Sequence, residues 1–507
     1  MKNSLQKSGL SSLSQRLEDL VSYGCGVKFV QSSMTRIKQD RKIIFVTDEK
    51  IWKNCQKFFP KNFLESLEKN LILKNPKADE KNLKKIASAA KNCDLILALG
   101  SGVINDLCKF TSAQKNIPYA IFASAASMNG YLSKNASITI SGHKKTLPAT
   151  LPIAVFCDLK ILKAAPLELT KAGIGDSLCF YSCWFDWYLS HKILGTKFDE
   201  KPFELLRKKM EFFVKNFQKF SIRDEEFLKI LIEILMLSGQ GMTMAGGSYP
   251  ASQSEHLIAH AIEMKYPKLA EKNLHGAQIA VTTLTAARLQ ESLLSSSALS
   301  KLGQEILKQV QDDGGFDDGG VDDGGVEDDG GEKSSQKLRH FQTPRNFHTL
   351  RHPELVSGSL ATLQKFFGKK IAKECQKEYD QKLLEISKAK PTNWKKIKTE
   401  LQKIHLDESH LKEIFSHFKI KTSAKSLGLS NQQYQECVMH SKFIRNRFTC
   451  LDLVKSEDDD ASIEQTLHLL SSAENRKHLL SEVKNIKKGK SVTFKSKTEM
   501  RKFFTKL

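Results

Sequence analysis

The sequence predicts an α/β domain on a mostly parallel sheet, followed by an all-α C-terminal domain. Three observations carry that reading. Short β-branched runs alternate with helical periods through the first third of the chain. Strand candidates nearly vanish beyond about Lys171, and long helical periods then follow one another. At 507 residues, 40% of them hydrophobic, the chain is long enough for two or three domains with substantial cores.

The strand candidates come in order. Lys42-Ile43-Ile44-Phe45-Val46-Thr47 ends at Asp48, and Asp94-Leu95-Ile96-Leu97-Ala98-Leu99 ends in glycine. Tyr119-Ala120-Ile121-Phe122 and Ile153-Ala154-Val155-Phe156 follow, with helical patterns between them, as at 81–90. Later helices are expected over 203–220, 225–242, 254–264 and 275–294. The Asp-Asp-Gly-Gly motif repeats at a spacing near five over 312–331, a composition that cannot bury apolar surface. The EF-hand spacing with its terminal glutamate is absent. The stretch around Arg351-His352-Pro353-Glu354-Leu355 resembles peptides encoded by mobile palindromic repeats, so about 305–360 is expected to be a disordered insertion in a surface loop. The expected domains are therefore 15–170, an α/β unit, and 171–455, a helical unit interrupted by that insertion. A charged helical tail is expected over 456–507.

Composition bounds the partners. The formal charge of +22 comes from lysines spread along the whole chain, with no helix-turn-helix, RNA-recognition or zinc-finger signature, so no nucleic acid is expected. The first residues hold no apolar signal region, and no run approaches the roughly 18 apolar residues of a membrane span. Ten cysteines without a CxxC pair suit a reduced, cytoplasmic setting; Cys179 and Cys183 read as small buried hydrophobes.

Four segments can carry chemistry. His256 and His260 stand one helical turn apart, and His275 follows. Read with Asp176 in Gly173-Ile174-Gly175-Asp176, they suggest a metal site with a proton relay beside it; Asp176 could instead cap a helix, and the histidine pair could be core. Gly100-Ser101-Gly102-Val103-Ile104-Asn105-Asp106 follows a strand and opens a helix, as a phosphate-cradling turn does, although Asn105 stands where a third glycine belongs. A tight strand–helix turn would show the same glycines. Ser124-Ala125-Ala126-Ser127-Met128-Asn129-Gly130-Tyr131-Leu132-Ser133 lies past the next strand, where such sheets bind ligands. Its hydroxyls can meet a cofactor, and the Asn129 amide can meet a substrate hydroxyl. Asp48, at a strand end, can accept from adenosine ribose hydroxyls, favouring NADH, or cap the next helix.

Taken in order with Ile444-Arg445-Asn446-Arg447-Phe448-Thr449-Cys450-Leu451-Asp452-Leu453, these blocks resemble the glycerol-1-phosphate dehydrogenases, of the superfamily of iron-containing alcohol dehydrogenases and dehydroquinate synthases. The resemblance covers about residues 15–300 and 360–455. It implies Asp176, His256 and His275 as ligands of one divalent ion (Zn, Ni or Fe) and His260 as a substrate-side histidine. Asp176 and His260 would be the catalytic pair, and with Asn129 they would bind substrate. NAD(P) would contact Gly100, Gly102, Val103, Ile104, Asn105, Asp106, Ser124, Ala125, Ala126, Ser127 and Ser133, with Asp48 on the ribose. Asn129 departs from the family's usual aspartate, and Ala123 and Ala126 replace its usual prolines. The implied activity is interconversion of dihydroxyacetone phosphate and sn-glycerol 1-phosphate, in a possible homo-oligomer. The alternatives are a dehydroquinate synthase-like cyclase, another polyol or alcohol dehydrogenase of the superfamily, and a degenerate homologue or basic binding protein.

Overall fold

The computed structural model describes residues 19–140, 143–295, 360–386 and 394–453. The expected insertion at 305–360 and tail at 456–507 lie almost wholly outside the described residues. The first part runs β1 (Val21–Gly24), α1 (Gly26–Lys38), β2 (Ile43–Asp48), α2 (Glu49–Cys55), β3 (Lys69–Leu73), α3 (Glu80–Ala89), β4 (Leu95–Gly100), α4 (Gly102–Lys115), β5 (Tyr119–Ala123), β6 (Asn135–Ile140), β7 (His143–Pro148) and β8 (Ala154–Asp158). Six strands form one sheet in the order β1-β8-β5-β4-β2-β3, every pair parallel, and β6 and β7 form a separate antiparallel hairpin. The four strands read from the sequence are buried along their whole length, because helices cover both faces. The sequence reading missed β1, β3 and the hairpin. β1 is four residues long and β3 is largely exposed, both at sheet edges, so neither needs an apolar run.

Strand order reverses between β2 and β4: β2 crosses over to β3 on one side, and β4 to β5 on the other. Parallel sheets bind ligands at such a point, off the carboxyl ends of the strands. Thr47 Oγ1 ties the two ends by donating to Leu99 O at 2.8 Å.

Helices follow: α5 (Leu159–Ala164), α6 (Leu167–Leu194), α7 (Lys201–Asn216), α8 (Glu225–Ala245), α9 (Ser254–Lys265) and α10 (His275–Ser295), then α11 (Leu360–Phe367), α12 (Lys369–Ile386), α13 (Trp394–Gln402), α14 (Glu408–His417) and α15 (Asn431–Ser441). α6 is the axis of this half; nineteen of its 28 residues are buried. α8 is long and apolar enough to cross a membrane, yet over half of its most apolar window lies inside the protein, against α6 and α7. One continuous core joins a sheet face to α6, α7, α8 and α14, a second cluster of Phe45, Phe59, Phe63, Phe122 and Phe156 fills the opposite face, and a third joins α6, α9 and α10 to α11–α15.

One expectation is corrected here. Asp176 caps nothing, because α6 starts at Leu167 and carries Asp176 in its interior. Gly173 and Gly175 are not helix-start residues either. A Cβ on Gly173 would collide with the Ala126 carbonyl, and one on Gly175 with that of Gly276. Both let backbone approach α6 more closely than any side chain permits.

Candidate metal centre

Three helices bring the centre together. Asp176 projects from mid-α6, His256 from the first turn of α9, and His275 opens α10. α6 and α10 touch backbone to backbone, since a Cβ on Gly276 would also collide with the Ala172 carbonyl. Ligand-capable atoms of Asp176, His256 and His275 all lie within 4.8 Å of one another. Two of the polar atoms here, Asp176 Oδ1 and His275 Nδ1, are buried without a hydrogen-bond partner. Buried polar atoms are rarely left so. One carboxylate and two imidazoles form a donor set that fits a divalent cation, and a cation would satisfy the orphaned Asp176 oxygen.

The surroundings orient these groups. Asn129 N donates to Asp176 Oδ2 at 3.0 Å, leaving Oδ1 free to point inward, and Asn129 Nδ2 donates to Ser238 Oγ at 3.3 Å. His256 Nδ1 lies 2.8 Å from Glu255 Oε1, which assigns the proton to Nδ1 and leaves Nε2 as the ligand atom. Glu255 is fully buried and also accepts from Gln253 N (2.8 Å), Ser182 Oγ (2.8 Å) and Cys183 Sγ (3.1 Å). Burial pushes its pKa up, but the bonds from His256, Gln253 and Cys183 outweigh burial and bring it down to about 2.

Cys179, Glu255 and His256 also sit within 4.8 Å of one another. Both Glu255 oxygens are already bonded, and burial raises the Cys183 thiol well above its usual range. The cysteines behave as protonated neighbours of the centre, a use beyond the apolar filler expected of them.

His260 lies one turn past His256, its ring centroid 6.1 Å from that of His256 and 6.3 Å from that of His275. Its Nδ1 meets Glu263 Oε2 at 3.2 Å, and Arg445 approaches its Nε2 at 3.4 Å. Burial and the charge of Arg445 lower its pKa to about 4 against the pull of Glu263, so the ring is neutral at pH 7. The other Glu263 oxygen stands 3.7 Å from His275 Nδ1, so one carboxylate faces both rings.

The sequence blocks assigned to a cofactor fall at the switch point with mixed side-chain fates. Gly102 opens α4 with nothing within 4 Å of where a Cβ would stand, and no side chain caps that helix. Val103 is exposed, but Ile104 and Asn105 turn into the core. Asp106 Oδ2 accepts from Ser137 N at 3.0 Å, fastening the hairpin. Ser124 N donates to Gly100 O, and Tyr131 Oη donates to the carbonyls of Ala125 and Gly100, drawing the two strand ends together. Ser124, Ala125, Ala126 and Ser127 are all buried. The Ser133 hydroxyl bonds the carbonyls of Gly130 and Asn135, beside the fully buried Lys109 ammonium. Asp48 does cap α2: its Oδ1 accepts from Lys50 N (2.8 Å) and Ile51 N (3.3 Å).

Sequence reasoning gave no role to Glu255, Glu263, Asp186 or Arg445. The fully buried Asp186 accepts from Ser254 N (3.1 Å), Gln290 Nε2 (3.2 Å) and Cys450 N (3.0 Å), clamping the start of α9 to the C-terminal segment. The Glu263 spacing, three residues after His260, was the one signal available for it. Arg445 arrives from far along the chain with no spacing to betray it.

Comparison with known proteins bears out the resemblance. Residues 24–166 match the family model described as iron-containing alcohol dehydrogenase. A protein of Thermococcus sibiricus named glycerol-1-phosphate dehydrogenase [NAD(P)+] is 37% identical over 223 residues, 44% of this chain and 62% of its own length. A Bacillus velezensis protein of the same name is 31% identical over 46% of this chain and 60% of its own length. The chain thus spans less than two thirds of these relatives. Among solved structures, glycerol dehydrogenase from Schizosaccharomyces pombe is 15% identical, with a TM-score of 0.45 over 79% of this chain and 91% of its own.

Proposed function

We propose that this chain, kin over residues 24–166 to the iron-containing alcohol dehydrogenases and similar to proteins named glycerol-1-phosphate dehydrogenase, is a metal-dependent NAD(P)H oxidoreductase interconverting dihydroxyacetone phosphate and sn-glycerol 1-phosphate. The observation that carries this reading is the convergence of Asp176, His256 and His275, with one buried Asp176 oxygen left without a hydrogen-bond partner among the described residues. These three would hold a divalent ion, whose donor set suits Zn, Ni or Fe. When bound, the ion supplies Lewis-acid polarisation of the substrate carbonyl.

The chain's own groups supply position and proton control. Glu255 fixes the His256 tautomer, and Asn129 N steers the Asp176 carboxylate. His260, neutral and held at Nδ1 by Glu263, exchanges a proton with the substrate oxygen. The Asn129 amide holds a substrate hydroxyl. The uncapped start of α4 at Gly102 takes the cofactor pyrophosphate on its amides, with the Ser124–Ser127 backbone beside it and Asp48 near the ribose. The division into a cofactor unit over 15–170 and a substrate unit over 171–455 belongs to the same reading, as does a reduced, cytoplasmic setting, which suits ten free cysteines.

The test is direct. Bound metal is measured on purified protein, and NAD(P)H oxidation is assayed with dihydroxyacetone phosphate beside 3-deoxy-arabino-heptulosonate 7-phosphate. His256→Ala, His275→Ala and Asp176→Asn are expected to empty the site and abolish turnover, because three ligands leave none spare. Full metal occupancy and normal rate in any of them would reject the site; turnover of the heptulosonate alone would reject the reaction.

A further inference from the structure

Arg445 and Arg447 place two guanidinium groups beside the centre, on a segment held from behind. The fully buried Lys382 ammonium pins that segment, bonding Asp452 Oδ1 at 2.7 Å and the carbonyls of Lys442 and Arg447. The two arginines differ in what they do. Arg447 is committed to the fold: it donates to Ser252 O and to Ser248 Oγ (2.9 Å) and lies over the Tyr249 ring, 4.4 Å from its centroid. Arg445 is half-buried, and its sole side-chain hydrogen bond among the described residues is the long one to His260 Nε2. A guanidinium carries five N–H donors in a planar fork. The carboxylates of Glu378 and Glu263 act on it through space, and Glu378 accepts from Asn446 N. Arg447, nearby, adds a second positive charge.

We infer that Arg445 is the phosphate-binding, specificity-determining residue for the substrate, with Arg447 reinforcing the charge. This rests on the dihydroxyacetone phosphate reading above. In that substrate the phosphorus is three bonds from the carbonyl carbon. A carbonyl at the Asp176, His256 and His275 cluster therefore carries its phosphate about one side chain away, which is where Arg445 stands, beyond His260. The fork fits two phosphate oxygens at once.

The experiment compares metal-loaded wild type, Arg445→Gln and Arg445→Lys, with dihydroxyacetone phosphate and unphosphorylated dihydroxyacetone as substrates. In Arg445→Gln the ratio of kcat/KM for the two is expected to fall on the order of 100-fold, mainly through KM for the phosphorylated one, with Arg445→Lys intermediate. Calorimetric titration with inorganic phosphate, which needs no turnover, should show binding to wild type weakened about tenfold or more in Arg445→Gln. Equal loss on both substrates, carried by kcat, would assign Arg445 to orienting His260 and overturn the inference. So would phosphate affinity unchanged by the substitution. If wild type binds phosphate at Arg445 yet reduces neither substrate, the reaction proposed above fails while the anion site stands.

Discussion

Glu255→Gln tests how far the centre depends on a residue that would never touch the metal. Glu255 accepts from four donors, and its pKa falls from the usual 4.5 to about 2 despite complete burial. A displacement of that size favours the anion by about 3 kcal/mol. Glutamine keeps the shape but removes the charge, and turns an acceptor oxygen into an NH2 that must face a donor. The amide oxygen can still accept from His256 Nδ1, but without the carboxylate's charge, and the NH2 then stands where an oxygen accepted from Ser182 Oγ. Loss of such a supporting carboxylate should weaken metal binding about 10- to 100-fold. The assay is competition for metal against a chelator of known affinity, with thermal unfolding of the metal-free protein as the folding control. A variant that unfolds like wild type and binds metal equally well would refute the argument that the Glu255 charge supports the ligand histidine.

Four further outcomes follow from the geometry. His260→Ala should retain its metal while losing roughly 10²–10⁴ in rate; metal loss would mean that His256 and His260 had been given each other's roles. Because the His260 pKa is depressed from 6.5 to about 4, its neutral folded form contributes stability that is fully present above pH 6.5 and lost as pH falls toward 4, at most about 3 kcal/mol. Urea melts of wild type and His260→Gln across that window should diverge by up to that amount, with wild type the more acid-sensitive; parallel curves would count against a buried neutral ring. Gly276→Ala should cost about 1–3 kcal/mol or more and reduce metal content, since the new methyl meets the Ala172 carbonyl beside His275; a wild-type Tm with full metal would show that the helices can separate freely. Asp48→Ala should cost about 1 kcal/mol as a lost cap. If Asp48 also reads the ribose, the variant gains on NADPH relative to NADH, and an unchanged ratio leaves it as a cap alone.

Much of this architecture was legible because burial on both faces writes itself into composition. β2, β4, β5 and β8 are continuous apolar runs, and the long helices from α7 to α10 begin and end within three residues or so of their periodicity. β1 and β3 escaped because edge strands carry no such signature. At the site, His256, His260 and Asp176 could be singled out by residue type and spacing. What spacing could not supply was the tertiary partner. The roles of Glu255 and Glu263 depend on which way neighbouring rings turn, and Arg445 reaches His260 across 185 residues of sequence. Capping stood beside ligation as a reading of Asp176 because two glycines before an acid look like a helix start. They are there instead because other backbone lies against them.

The clamp at Asp186 also has a consequence in time. Its oxygens join Ser254, at the head of α9, to Cys450, across a span of 264 residues between Asp186 and Cys450. A ribosome adding about 5–20 residues per second needs roughly ten to fifty seconds to cross that span. For the later part of that interval, once His275 has been made, the nascent chain holds every side chain of the metal cluster, while the start of the helix bearing His256 lacks its lock. Closing so distant a contact carries a loop-entropy cost that local pairing does not. Assembly of the centre is therefore a late event in the life of the chain, set by the arrival of its C-terminal segment and not by the synthesis of its ligands.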